Sequence, residues 1–374
     1  MNVIKPIDTS LPTGDLLGAR VGVLHNMSND FASQTEAVPL TSGPGNKKRR
    51  RFPRSSIYLF LGILAAGQGT SAAQEIFPQT LLANRRMELR ILLPDEVKGF
   101  YRGTRFDWSG QMLSVTCDGH SFFEPWRFPH NPLLHDAASG PAEEFGMFSP
   151  LGYEEARPGE TFLKIGVGFL KKPEEKEYGF YRDYQRAGSA PWTISREPDA
   201  LIFQQTIADV RGWGYRYTKR ITLQPDGFRI SRTLENTGTR KISTDHYGHN
   251  FVRINHAPVG PAYQLRFPFA PGVRMARPDP VTITGRVLQM PEVTDSFYAE
   301  LTGFQGKEDH AATVTHVPTG LAVEIRGDLP PVKFNVYAEK TALCPEAFVQ
   351  LEIAPGGQAH WASQYQFHIP QPKR

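Results

Sequence analysis

From Ile202 onward, apolar and polar residues alternate with a period of two. Phe203, Gln205 and Ile207 lead to Tyr215, Tyr217, Lys219, Ile221 and Leu223. Pro225, Asp226 and Gly227 then supply a turn, and Phe228, Ile230, Arg232 and Leu234 run back to a second turn at Asn236 to Gly238. Side chains of an extended strand point alternately to its two faces, so this pattern predicts half-buried antiparallel strands joined in hairpins. Similar short runs recur at TFLKIGVGFL, HAATVTHV, LAVEIRG, VKFNVYAE, AFVQLEIAP and HWASQYQFHI. Long stretches with apolar residues at i, i+3, i+4 and i+7 are absent, and only QTLLANRRMELRILL offers a helical turn, ahead of a strand. The region from Phe100 to Tyr153, rich in aromatic residues, Gly and Pro, reads as long loops and short strands, the kind of setting in which sites are built on a rigid sheet. The fold class expected is all-β, one large antiparallel β-sandwich over residues 74–374, with no internal repeat and no linker dividing it.

Composition agrees with a packed chain: of 374 residues, 40% are hydrophobic and 21% charged, too apolar for a disordered protein. Net charge is only +4, yet KKRRRFPR (Lys47 to Arg54) is densely basic and in isolation reads as a nucleic-acid patch. The next residues change that meaning. An apolar run from Ile57 to Ala66 leads to the small residues Ser71, Ala72 and Ala73, and this order is that of a secretory signal peptide over residues 47–73. The apolar run is shorter than the roughly 20 residues of a spanning helix. Residues 1–46, which lack hydrophobic periodicity, then read as a disordered extension or as a start placed too far upstream. The chain is expected to be exported, periplasmic or extracellular, touching membrane only through its export signal. No nucleic-acid partner is expected, because the rest of the chain has near-balanced charge and no basic stripe. Cys117 and Cys344 either pair in an exported chain or stay buried as thiols, and no CxxC or His/Cys cluster argues for structural zinc.

Candidate chemistry concentrates in DHYGHNFVRIN, Asp245 to Asn255. In a strand, Asp245, Tyr247, His249 and Phe251 share one face and His246, Gly248, Asn250 and Val252 the other. His249 thus sits with an acid and a phenol, as a catalytic group or as a hydrogen-bonded core histidine. His246 and His249 fall on opposite faces, so no metal site is expected there. Glu346 lies between Pro345 and an apolar run, where it is either a solvated strand-end charge or a buried carboxyl with an altered pKa; Glu352 is the weaker candidate. In YRGTRFDWSG, Arg105, Asp107 and Trp108 combine a charged fork, a carboxylate and an aromatic plate suited to a pyranose, unless the charged pair merely closes a surface turn. Glu143 and Glu144 in GPAEEFG read as solvated loop acids, and Lys164 and Asp209 are weaker still.

The order of these segments resembles the galactose mutarotase-like superfamily, which contains the aldose 1-epimerases. YGHNFVRI is similar to that family's Asn-His-x-Tyr-Phe strand, and CPEAF, LEIAPGG and YQF have the layout of its glutamate segment, Pro-Gly turn and final strand. The resemblance covers the chain from about Leu89 to Phe367. It implies a sugar-binding supersandwich that interconverts sugar anomers, with His249, held protonated by Asp245 or Glu346, as general acid and Glu346 as base. It implies a sugar or oligosaccharide ligand and no cofactor or metal; Arg105, Asp107, Trp108, His120, Asp245 and Tyr247 are candidates to meet that ligand by position. The family's Gly-Arg-x-Ala-Asn-Arg and Leu-His-Gly-Gly segments are missing, which marks a divergent bacterial subgroup and makes His120, in CDGHSFF, the candidate for the second histidine. Two other readings stay open: a carbohydrate-binding envelope protein without catalysis, and a glycan-processing enzyme in which Glu143 or Asp107 faces Glu346.

Overall fold

The computed structural model describes residues 77–278 and 281–371; the expected signal peptide and the extension before it lie outside these residues. The alternation read from Ile202 to Asn236 forms the strands Ala200–Val210, Trp213–Gln224 and Gly227–Asn236, paired in two successive antiparallel ladders. They lie in a ten-stranded sheet that continues through Gln358–His368, Leu321–Gly327, Ala311–His316 and Tyr263–Arg266. A six-stranded sheet runs, in spatial order, through Gly272–Arg277, Phe297–Thr302, Lys333–Glu339, Ala342–Ile353, Ile242–His249 and Ala142–Phe145. Phe228, Ile230, Val323 and Phe367 of the large sheet and Phe334, Val336 and Leu343 of the smaller one belong to one apolar cluster. Two faces packed in this way are the sandwich that the pattern predicts.

QTLLANRRMELRILL does not hold a helical turn. It forms the strands Gln79–Ala83 and Met87–Leu92, because Leu82, Met87, Leu89 and Ile91 are buried and the Asn84 side chain accepts from the Arg86 and Met87 N–H groups to close the turn. Among the described residues helix is limited to a three-residue 3-10 turn, Lys307–Asp309, and no helix is long and apolar enough to cross a membrane. Cys117 and Cys344 are both free and buried.

Side-chain parity decides what the smaller sheet shows on each side. Along Ala342–Ile353 the odd positions Leu343, Val349 and Leu351 face the core, so Cys344, Glu346 and Phe348 face outward. Along Ile242–His249, Ile242 faces the core, and Asp245, Tyr247 and His249 face outward. An outer face normally meets water. Here Tyr247, His249, Cys344, Glu346 and Phe348 are all buried, because the segments before and after the strand Met112–Cys117 lie over them: the Phe106 ring centroid is 5.6 Å from that of His249, and Trp126 stacks on Phe251.

Candidate active site on the outer sheet face

Antiparallel register builds this site from residues far apart in the chain. The ladder that pairs His246 with Val349, carried on three residues, sets His249 opposite Glu346. On the other side Glu346 pairs with Asn335, and Asn335 with Glu300. Directly opposed residues share a face and lie one strand spacing apart, roughly 4.8 Å. His249, Glu346, Asn335 and Glu300 therefore form one polar row across four strands, and all four are buried.

The strand ends at His249. Phe251, with φ of +48°, occupies the left-handed region that bulky residues avoid, and from there its ring stacks on His249 at 4.0 Å while its N–H donates to Cys344 Sγ at 3.2 Å. Asn250 ties the departing chain down, donating to the Pro345 carbonyl and accepting from the Tyr365 hydroxyl at 2.8 Å. The expected run of strand through Asn255 is thus replaced by a turn-away, with Val252 making only isolated bridges to Phe123 and Leu343.

Nε2 of His249 lies 3.1 Å from Oε1 of Glu346, and Nδ1 of His249 is buried without a partner among the described residues. Burial pushes the imidazole well below its usual pKa, and the nearby Arg105 cation pushes the same way. Burial raises the Glu346 carboxyl to about 8, with Arg105 and Lys333 opposing the rise. At neutral pH the pair is therefore a protonated carboxyl beside a neutral imidazole. This corrects the expectation that a carboxylate keeps His249 protonated: away from bulk water, two neutral groups are favoured over an ion pair.

Arg105 is next to this pair and locked in place. Its Nε donates to Glu144 at 2.8 Å and its Nη2 to the Tyr247 hydroxyl at 2.9 Å, while the guanidinium lies 4.4 Å and 4.3 Å from the Phe106 and Phe180 ring centroids. Tyr247 donates to Glu144 at 2.6 Å and stacks on Phe348. Lys164, fully buried, completes the cluster at 3.0 Å from Glu144. Burial works against the Glu144 charge, but Lys164 and Arg105 outweigh it and hold the carboxyl below its ordinary range.

The remaining sequence candidates separate by face. Glu143 and Glu144 are not loop acids: they occupy the strand Ala142–Phe145 and point in opposite directions, Glu144 to Tyr247 and Glu143 into the sandwich. There Glu143 meets Arg232, Lys219 at 3.2 Å and the Tyr217 hydroxyl at 3.0 Å, and Lys219 bridges on to Asp107 at 2.6 Å. Asp107 is thereby an interior ion-pair residue and is not available to a sugar. His246 faces the same interior, its Nδ1 accepting from the Trp361 indole, so its own proton sits on Nε2, toward Glu143. Trp108 is buried, donates to the Gly103 carbonyl and is covered by Arg186, 5.3 Å from its ring centroid. His120 sits at the hairpin beside Cys117, with Nδ1 against the Asn255 amide, apart from the row. Asp245 shares the outer face; it accepts from the Met147 N–H at 2.9 Å, and burial raises its pKa. Asn335, Lys333 and Tyr337, whose ring lies 5.7 Å from His249, give no sequence signal because an ordinary alternating strand, VKFNVYAE, carries them.

Among the described residues, His249, Cys344 and Glu346 are a group whose potential metal-ligating atoms all lie within 4.8 Å of one another. Burial raises the Cys344 thiol well above its usual pKa.

No protein-family model matches the chain, and no curated protein matches it. Solved structures do. The Slr1438 protein from Synechocystis sp. PCC 6803 matches with a TM-score of 0.52 at 13% identity, over 79% of this chain and 97% of its own. A galactose mutarotase-like protein from Lactobacillus casei matches with 0.45 at 13% identity, over 78% and 100%, and a galactose mutarotase related enzyme from Lactobacillus acidophilus with 0.48 at 10%, over 79% and 100%. The likeness is one of fold alone, an antiparallel β-sandwich.

Proposed function

We propose that the protein interconverts the α and β anomers of a free sugar. The observation that carries this reading is the 3.1 Å approach of the His249 imidazole to the Glu346 carboxyl on the covered outer face. Opening a pyranose ring needs a proton delivered to the ring oxygen while another leaves the C1 hydroxyl; the bond from C1 to the ring oxygen breaks as the C1 carbonyl forms. Acid and base catalysis can each contribute roughly 10²- to 10⁴-fold to such a step.

The pair holds one proton between its two members, resting on Glu346 before a sugar binds. The anomeric hydroxyl, donating to Glu346, favours the ionised carboxylate, and the proton crosses to His249. His249 then protonates the ring oxygen and Glu346 takes the C1 proton. After rotation about the C1–C2 bond, the same transfers in reverse close the ring on the other face. Proton count is conserved, and Arg105 and Tyr247 fix the surroundings in which the charges form.

Cleavage of a glycosidic bond has less support. Its two carboxylates would have been Glu143 or Asp107 with Glu346, and both of those partners face the sandwich interior. Polarimetry or saturation-transfer NMR on glucose and galactose tests the proposal. The protein accelerates anomer equilibration, and Glu346→Gln and His249→Ala abolish the acceleration while circular dichroism stays unchanged. Unchanged rates in both variants remove the reading.

A further inference from the structure

Asn335 is buried, with 3% of its surface exposed, and its Oδ1 has no partner among the described residues. A buried amide oxygen left unpaired is destabilising, so one that faces a polar row calls for an answering hydrogen-bond donor. Its surroundings say which ligand. Asn335 stands directly across the ladder from Glu346, on the same face of the sheet. The row thus runs His249, Glu346, Asn335, with Glu346 in the middle.

We infer that Asn335 is a specificity-determining residue that binds the C2 hydroxyl of the sugar. The inference rests on the anomer-exchange reading and on the order of that row. If His249 addresses the ring oxygen and Glu346 the C1 hydroxyl, the next atom along the sugar on the side away from His249 is the hydroxyl at C2. The ring oxygen carries no proton and cannot satisfy Oδ1. The C1 hydroxyl is engaged by Glu346. A hydroxyl both donates and accepts, so it suits either end of the amide. The substrate class is accordingly an aldose with a free C2 hydroxyl, and 2-deoxy sugars are disfavoured. A site built to hydrogen-bond a hydroxyl rejects the analogue lacking it far more strongly than an apolar pocket rejects a missing methylene, because its own polar group is then left unpaired.

The experiment compares glucose and galactose with 2-deoxyglucose and 2-deoxygalactose by saturation-transfer NMR, using the wild-type protein, Asn335→Ala and Asn335→Ser. The expected wild-type result is a loss in kcat/KM of at least about tenfold on removing the C2 hydroxyl. In Asn335→Ala the glucose value falls to the 2-deoxyglucose level and the ratio approaches one, whereas Asn335→Ser, which keeps a hydroxyl, retains part of the preference. A purely structural role would lower both sugars together and leave the ratio where it was. Wild-type protein that accelerates both sugars equally overturns the inference and leaves the anomer-exchange reading standing. The same holds if discrimination survives intact in Asn335→Ala. Acceleration of neither sugar overturns both.

Discussion

His249 and Glu346 face each other at 3.1 Å with both side chains nearly sealed from water, and burial moves them in opposite directions, the imidazole down and the carboxyl up to about 8. The proposed anomer exchange needs one proton on the pair. As pH rises through about 8 the pair loses that proton, and only well below the ordinary histidine range does it gain a second. The expected profile of kcat/KM is a plateau around neutrality, a fall of about tenfold per pH unit above about 8, and an acid limb displaced well below about pH 6.5. Saturation-transfer NMR between about pH 5 and 10, corrected for buffer catalysis, measures it. An alkaline limb absent up to about pH 10 would contradict the assignment.

The same displacement bears on stability. Glu346 is raised above its unfolded value of about 4.5, so between that pH and about 8 the folded state binds a proton that the unfolded state has lost. Stability therefore falls as pH rises across that window, by up to about 1.4 kcal/mol per pH unit from this one group. Glu346→Gln, which cannot ionise, removes this slope. Urea denaturation at about pH 5, 7 and 9 should show the variant gaining on the wild type as pH rises.

The sequence exposes this pair unevenly. His249 is legible because a strand that carries Asp245, Tyr247 and His249 on one face is unusual, and Glu346 because Pro345 and an adjoining apolar run set it apart. Asn335 is not, since one Asn among alternating apolar residues looks like any solvent-facing position, and only the register with Glu346 gives it a role. Asp107 misleads for a related reason. Its charge is matched by Lys219, far along the chain, and no local pattern shows a cross-sheet ion pair. His120, paired with Asn255 at a hairpin, owes its candidacy to a missing family motif and to nothing in its own neighbourhood.

The interior ion cluster makes a contrasting prediction. Glu143 is the carboxylate between Arg232 and Lys219, and all three are buried. Removing it leaves the Arg232 cation without its counter-charge in a dry core, while Lys219 keeps Asp107, and breaking such a buried pair costs about 3–5 kcal/mol. Glu143→Ala should lower the urea midpoint accordingly, and Asp107→Asn should do so to a smaller degree because Lys219 keeps Glu143. KM for the sugar should change little in whichever variant remains folded. A selective rise in KM for Asp107→Asn with stability intact would return that residue to the sugar site.

Arg105 supplies both shape and charge, and two substitutions separate them. The guanidinium spans Glu144 and Tyr247 while lying between the Phe106 and Phe180 rings, a planar fork that an ammonium cannot reproduce. Arg105→Lys should therefore lower kcat/KM by roughly 10- to 100-fold through loss of geometry, with the fold retained because Lys164 still neutralises Glu144. The alkaline limb near about pH 8 should stay in place, since the positive charge that lowers the Glu346 pKa is still present. Arg105→Met removes that charge as well. Glu346 is then held protonated to higher pH, so the alkaline limb moves upward, and His249, freed of a repelling cation, also takes up a proton more easily on the acid side. The pH profiles of the two variants, measured on the same sugar, separate the roles: a limb that moves equally in both, or in neither, would mean that Arg105 acts on the pair by packing alone.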